Sequence, residues 1–362
     1  MTTPKRLTEA LPGLLKNVGL SGKHEAVMLK GDASNRSYFR IHAGERSFVA
    51  MLLAERGPNS PAEEITKTAR PITELPFIDV RRYLETRRVP VPAVYAYDTA
   101  RGALLLEDFG DRVLCDELPK MKPADMRKAY EVALEQLERL AVIPAAAESR
   151  TSIAFARAFD RDLYNWEFRH FVEYALDKRL RKPPSAADRD AILKALYRLT
   201  DTYLSWENVF CHRDYHSKNL MVLELSGGGF RLGVLDFQDA LLAPLFYDLA
   251  SLLRDSYFTL DRKLQDGLVE SYRLRMKEHG FRETNERGAF RRAFDLMGIH
   301  RNLKAAGRFF YIEEVKKNPN YLPHVPRTLE NVRKTLEDDG DLKSLRTLLL
   351  PYFDELVAAC PN

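Results

Sequence analysis

The spacing of apolar residues changes along the chain and divides it into an early region of short strands and a later region of helices. Residues 1–22 read as an amphipathic helix closed by Gly19 and Gly22, because glycine accepts the left-handed backbone on which helices end. Short apolar runs then predict strands over residues 26–29, 37–42 and 47–53, with a turn at Ala43-Gly44 between the last two. Residues 54–73, rich in Pro, Glu and Ser, read as a mobile loop. Phe77, Val80, Tyr83 and Leu84 return to helical spacing from Pro76, and Arg87 ends that helix ahead of Val89-Pro90-Val91-Pro92. Short strands follow over 94–97 and 103–106.

Beyond Arg112 helical spacing dominates. Residues 123–142, 159–180 and 187–206 read as amphipathic helices, and the aromatic stripe of the second (Trp166, Phe171, Tyr174) reads as core. Two apolar, β-branched runs flank Gly227-Gly228-Gly229, which predicts a hairpin. Pro244 and Asp248 ahead of an apolar run signal a helix start, and residues 260–362 read as helices with Phe290, Phe294, Leu296 and Met297 inward.

A chain of 362 residues can bury two cores. With 45% hydrophobic and 30% charged residues it has an ordinary globular composition, and no apolar run reaches membrane-spanning length. The start of the chain carries no signal-peptide core, so a cytoplasmic protein is expected. Cys115, Cys211 and Cys360 have neither pairing nor zinc spacing, and Cys211 reads as a small buried residue. A net charge of +4 makes no case for nucleic acid or membrane as partner, and a monomer is expected.

The predicted hairpin carries the chemistry. Its first strand is preceded by His212-Arg213-Asp214 and Asn219, and its second ends on Asp236-Phe237. His-Arg-Asp followed after four residues by Asn, then by Asp-Phe, is the spacing of a kinase catalytic loop and its metal-binding strand end. Phosphoryl transfer from ATP needs an oriented acceptor and Mg²⁺. Asp214 has the position of a base on the acceptor hydroxyl, while Asn219 and Asp236 supply the oxygen ligands that Mg²⁺ prefers. Asp248 is expected to accept hydrogen bonds from the catalytic loop. The fold expected is α+β and bilobal, protein-kinase-like. Residues 1–110 form a nucleotide-binding lobe with an antiparallel sheet and a helix; residues 111–362 form a mainly helical lobe with the catalytic hairpin.

Residues 30–36 are expected to cover the phosphates, and Glu107 and Phe109 to meet adenine at the turn between the lobes. A kinase would next place a lysine on the third strand. Here Val49-Ala50-Met51-Leu52 puts Leu52 at that position, leaving Arg36, Arg40 and Lys218 as substitute cations. Asp236 and the next helix are joined by a short connection, which leaves no platform for a peptide and implies a small-molecule acceptor. Between residues 282 and 317 nine basic residues face five acids, mostly on a solvated helix face. That excess suits a neutral or anionic acceptor.

These motifs, with Tyr247-Asp248-Leu249-Ala250, resemble the aminoglycoside phosphotransferase family. Gly31 to Arg40, Leu104 to Asp111 and His300 to Gly307 are similar to its anomeric N-acetylmuramate/N-acetylglucosamine kinases of cell-wall recycling. The resemblance implies Asp214 as base, Asn219 and Asp236 as magnesium ligands, and Ser34, Asn35 and Arg36 at the ATP phosphates. Glu167, His216, Arg301 and Lys304 are candidate sugar contacts. The alternatives are a kinase of an aminoglycoside, choline or homoserine, and a nucleotide-binding protein without turnover.

Overall fold

The computed structural model describes residues 3–29, 36–54, 65–143 and 151–360. Five strands, β1 (Glu25–Met28), β2 (Ser37–Ala43), β3 (Arg46–Leu52), β4 (Val94–Asp98) and β5 (Ala103–Glu107), form one antiparallel sheet in the order β1-β2-β3-β5-β4. Strand side chains alternate between faces, and β3 shows the consequence. Phe48, Ala50 and Leu52 share one small core with helix α1 (Lys5–Lys16), whereas Met51 joins the large core on the other side. That second face is covered by α2 (Pro76–Thr86), whose Phe77, Val80, Tyr83 and Leu84 are the buried residues read from the spacing.

A second region follows with α3 (Leu114–Glu117), α4 (Pro123–Ala141), α5 (Arg161–Phe171) and α6 (Ala186–Tyr203). Next come β6 (Asn208–Cys211), β7 (Leu220–Glu224), β8 (Phe230–Val234) and β9 (Leu241–Pro244). The glycine-rich turn joins β7 to β8 as expected. The pair β6 and β9 was not anticipated: Pro244 ends a strand rather than starting a helix, and the apolar helix α7 (Phe246–Leu253) begins after it. The chain closes with α8 (Arg262–Glu278), α9 (Arg287–Lys316), α10 (Val325–Asp338) and α11 (Lys343–Ala358).

The helix expected over 159–180 is shorter. Asp160 caps α5, its carboxylate accepting the Leu163 N–H at 2.8 Å, and the chain rewinds into π-helix over Val172–Asp177. At that junction α9 crosses closely: a Cβ on Gly307 would stand 2.7 Å from Phe171 Cα. Glycine therefore lets these two helices approach, and both send side chains into the cleft between the sheet and the helical region. Helix α9 is buried on most of its faces, including Phe290, Phe294, Leu296 and Met297.

Candidate active site

The catalytic hairpin is held by paired backbone contacts. Leu235 N donates to Asn219 O at 2.9 Å, tying the residue before Asp236 to the start of β7. Arg213 and Asp236 both have left-handed backbones, with φ of 81° and 60°, which costs a non-glycine residue roughly 1–2 kcal/mol. Asp248 holds the first of these: its carboxylate accepts the N–H of His212 at 2.6 Å and of Arg213 at 3.0 Å. The expected structural role of Asp248 is what the structure displays. His212 is buried and close to Leu235 O through Nε2 at 2.9 Å. Since Asp214 N donates to Nδ1 at 3.3 Å, Nε2 carries the proton.

Asp214, Asn219 and Asp236 line one cleft of about 750 Å³ between the sheet and the helices, together with Arg36, Glu107, Phe109, Glu167, His216 and Lys304. The Asn219 amide donates through Nδ2 to Asp214 O at 2.9 Å, so its Oδ1 is the atom left for a ligand. The Asp236 carboxylate is 41% exposed, and its Oδ1 accepts from Arg36 at 3.3 Å and Gln238 at 2.8 Å. Burial pushes the Asp236 carboxyl above its ordinary value despite Arg36, the condition that a bound cation would relieve. Two oxygen donors fit Mg²⁺, which keeps waters and phosphate oxygens as its other ligands.

The opposite end of the cleft is charged. Lys304 of α9 donates to Asp214 Oδ1 at 3.1 Å and lies 3.8 Å from Glu167 Oε1; Arg213 donates to the same Glu167 oxygen at 2.9 Å. Burial opposes ionisation of Asp214, but Lys304, Arg301, His216 and Arg213 outweigh it and hold the carboxyl well below the usual range. Glu167 is likewise disfavoured by burial and still held low by Lys304 and Arg213. Burial draws Lys304 down from the ordinary lysine value, against Asp214 and Glu167. His300, ringed by Phe159, Tyr164, Phe168 and Tyr203, is pushed down to about 3 by burial and is neutral.

Several sequence expectations need correction. On the cleft face of β3 it is Val49 that lines the cleft; Leu52, at the expected lysine position, points into the core with α1, and Met51 is buried in the large core that also holds Phe77 and Val80. Arg40 is engaged by Asp108 at 2.7 and 3.0 Å and by Asp111 at 2.7 Å. Lys218 stands over the rings of Tyr257 and Tyr321 at 4.8 and 4.9 Å. Of the three substitute cations, Arg36 is the one beside Asp236. Ser34 and Asn35 lie outside the described residues, as does most of the loop expected over 54–73.

Glu107 lines the cleft, but its N–H donates to Ala93 O at 2.9 Å and its carboxylate accepts from Ala93 N at 3.1 Å. The Phe109 ring lies against Gly233, where a Cβ would stand 2.5 Å from it. Glu167, only 2% exposed, is committed to Arg213 and Lys304 and positions them rather than facing an acceptor. Arg301 sits behind Asp214, 3.6 Å from its carboxylate and bonded to Ser251 at 2.8 Å, in a separate cavity of about 90 Å³. His216 lines the cleft with its ring 5.1 Å from Tyr257.

Sequence reasoning missed Trp166, His170 and Arg308, all of which line the cleft. Counting charges put Arg308 on a solvated face. The available signal was the spacing of Arg301, Lys304 and Arg308, which sets all three on one side of a helix.

The N-acetylmuramate/N-acetylglucosamine kinase of Pseudomonas putida is 29% identical over 318 residues, covering 88% of this chain and 85% of that protein. The protein of the same name from Neisseria meningitidis is 29% identical over 319 residues, covering 88% of each. Among solved structures, the gentamicin complex of APH(2")-IIa superposes with a TM-score of 0.58 at 15% identity, covering 91% of this chain and 97% of that one. A choline/ethanolamine kinase family protein from Mesorhizobium loti superposes with a TM-score of 0.55 at 13% identity, covering 97% and 99%. These two likenesses establish the bilobal α+β kinase-like fold. Residues 25–284 match the profile of the phosphotransferase enzyme family, and the chain belongs to that family.

Proposed function

We propose that this phosphotransferase uses ATP and Mg²⁺ to phosphorylate the anomeric hydroxyl of N-acetylmuramate, N-acetylglucosamine or both, as a cytoplasmic monomer serving cell-wall recycling. The observation that carries the reading is the convergence of Asp214, Asn219 and Asp236 on one cleft whose far wall is built by Lys304 and its neighbours. The names of the relatives spanning most of the chain supply the acceptor class.

In this reading residues 1–110 hold the nucleotide, with adenine between Glu107 and Phe109 and the phosphates under Ser34, Asn35 and Arg36. Asn219 and Asp236 would hold Mg²⁺, which would supply neutralising charge at the phosphates. Asp214 orients the acceptor hydroxyl. Its depressed carboxyl makes it a weak proton acceptor, which suffices for a loose phosphoryl-transfer transition state in which positioning outweighs proton removal. Lys304, hydrogen-bonded to Asp214, is placed to meet the acceptor oxygen or the transferred group. Residues 111–362 supply these parts.

The reading is tested by ADP release from Mg·ATP with N-acetylmuramate, N-acetylglucosamine, an aminoglycoside, choline and homoserine, followed by locating the new phosphate. An acid-labile sugar phosphate is the expected product. Turnover confined to an aminoglycoside, choline or homoserine would replace the acceptor, and none at all would overturn the kinase reading.

A further inference from the structure

We propose that Arg308 reads a carboxylate on the acceptor and so sets the enzyme's preference between acidic and neutral amino sugars. The inference rests on the amino-sugar kinase reading above. Four arginines line the cleft, and three are committed: Arg36 to Asp236 at 3.3 Å, Arg40 to Asp108 at 2.7 Å and Arg213 to Glu167 at 2.9 Å. Arg308 has no carboxylate partner among the described residues. Its guanidinium lies 4.7 Å from the centre of the Tyr311 ring. A half-buried guanidinium has lost part of its water; among the described residues Tyr311 is its hydrogen-bond partner, and Asp214 acts on it through its charge without a salt bridge.

Its position suits the acceptor. Arg308 follows Lys304 by four residues on α9, so it lies about one helical turn, roughly 5 Å, beyond the ammonium that touches Asp214. A sugar with its reacting hydroxyl at Asp214 would extend toward Arg308. The wall between them is aromatic: Trp166 stacks on His170 at 5.1 Å, and His170 meets Tyr311 at 5.1 Å. Burial, reinforced by Arg308, pushes the His170 imidazole down to about 4, so the positive charge on this wall resides on Arg308. An aromatic face beside a planar fork of donors fits a pyranose carrying a carboxylate substituent. The same charge disfavours polycationic acceptors.

The test compares kcat/KM for N-acetylmuramate and N-acetylglucosamine, with Mg·ATP, in the full chain and in its Arg308→Gln and Arg308→Lys variants. The ratio of acidic to neutral sugar should fall about 10- to 100-fold in Arg308→Gln, mainly through the KM of the acidic sugar, and part of it should return in Arg308→Lys. A ratio unchanged in Arg308→Gln, with both sugars losing equally or neither losing, would overturn the assignment. Turnover of the neutral sugar alone by the unaltered protein would also overturn it while leaving the kinase reading intact. Failure with every acceptor would remove the reading itself.

Discussion

The two walls of the cleft carry opposite chemistry. On the sheet side β3 presents Met51 in the core with Phe77 and Val80, and the nearby cation, Arg36, is matched to Asp236. On the helical side α5 and α9 crowd Glu167, Lys304 and Arg308 around Asp214. A protein kinase would place a lysine–glutamate pair between its third strand and first helix. Here that contact is hydrophobic, and charge is concentrated around Asp214. In the proposed kinase the lost lysine therefore does not signal a dead enzyme, because cations stand elsewhere along the cleft.

Exchanging the charge at the centre of the helical wall should have the largest effect. Asp214→Asn keeps shape and removes the anion that orients the hydroxyl, and kcat is expected to drop by roughly 10²–10⁴ with the KM for ATP little changed. Stability should fall as well, since Arg301 and Lys304, only 7% and 17% exposed, lose a counter-charge, but by less than at the buried Glu167 because the Asp214 side chain is one-third exposed. Steady-state ADP release with a parallel melting curve measures both. A variant retaining near-normal kcat would remove Asp214 from the reaction.

Glu167 should behave in the reverse sense. Its carboxylate is buried between Arg213 and Lys304, so Glu167→Gln leaves two cations with less compensation and is expected to cost about 3 kcal/mol of folding free energy. Urea unfolding reads that cost directly. An unaltered midpoint would mean that the network is solvated and that the contrast between the walls is weaker than the distances imply.

The sheet side allows a converse experiment. Met51→Lys places an ammonium where Phe77, Val80 and Leu104 leave it no carboxylate, and a loss of about 2 kcal/mol or more is expected, with no gain in kcat. A gain would show that the phosphates lack a cation and that Arg36 does not supply it.

What was legible in the sequence is local. Asp214 and Asn219 precede β7 and Asp236 follows β8, so spacing and a glycine turn were enough to expect the three at one cleft. The buried face of α2 followed from periodicity alone. The faces of β3 did not, because a run apolar on both sides carries no alternation, and only the packing of α1 shows which side Leu52 takes. The acceptor wall was hidden for another reason. Trp166 and His170 of α5 and Arg308 of α9 reach one cleft through a helix crossing that is close at Gly307; spacing can set residues on one side of a single helix, but which helices face each other is decided by tertiary packing.

The smallest expected effect is a pH dependence centred on Glu167. Its carboxyl is held below the ordinary value in the folded protein, so its contribution is complete above the unfolded value of about 4.3. As pH falls below that value the unfolded chain takes up the proton first, and the contribution declines until the folded carboxyl is protonated as well. The stability gap between the unaltered protein and Glu167→Gln should therefore be constant from pH 7 to 5 and narrow between pH 4 and 3. His300 pulls the same way in both proteins: burial pushes it down to about 3, so the unfolded chain binds its proton from about pH 6.5 downward and both lose stability together. That loss is shared only down to about pH 4, because the Glu167 carboxylate, 3.2 Å from His300 Nε2, raises His300 against burial; the change below pH 4 belongs to the Glu167–His300 pair together. Urea midpoints at pH 7, 5, 4 and 3 measure it, and a gap that widens from pH 5 to 4 would place the Glu167 carboxyl above its unfolded value, with Arg213 and Lys304 too well hydrated to hold it down.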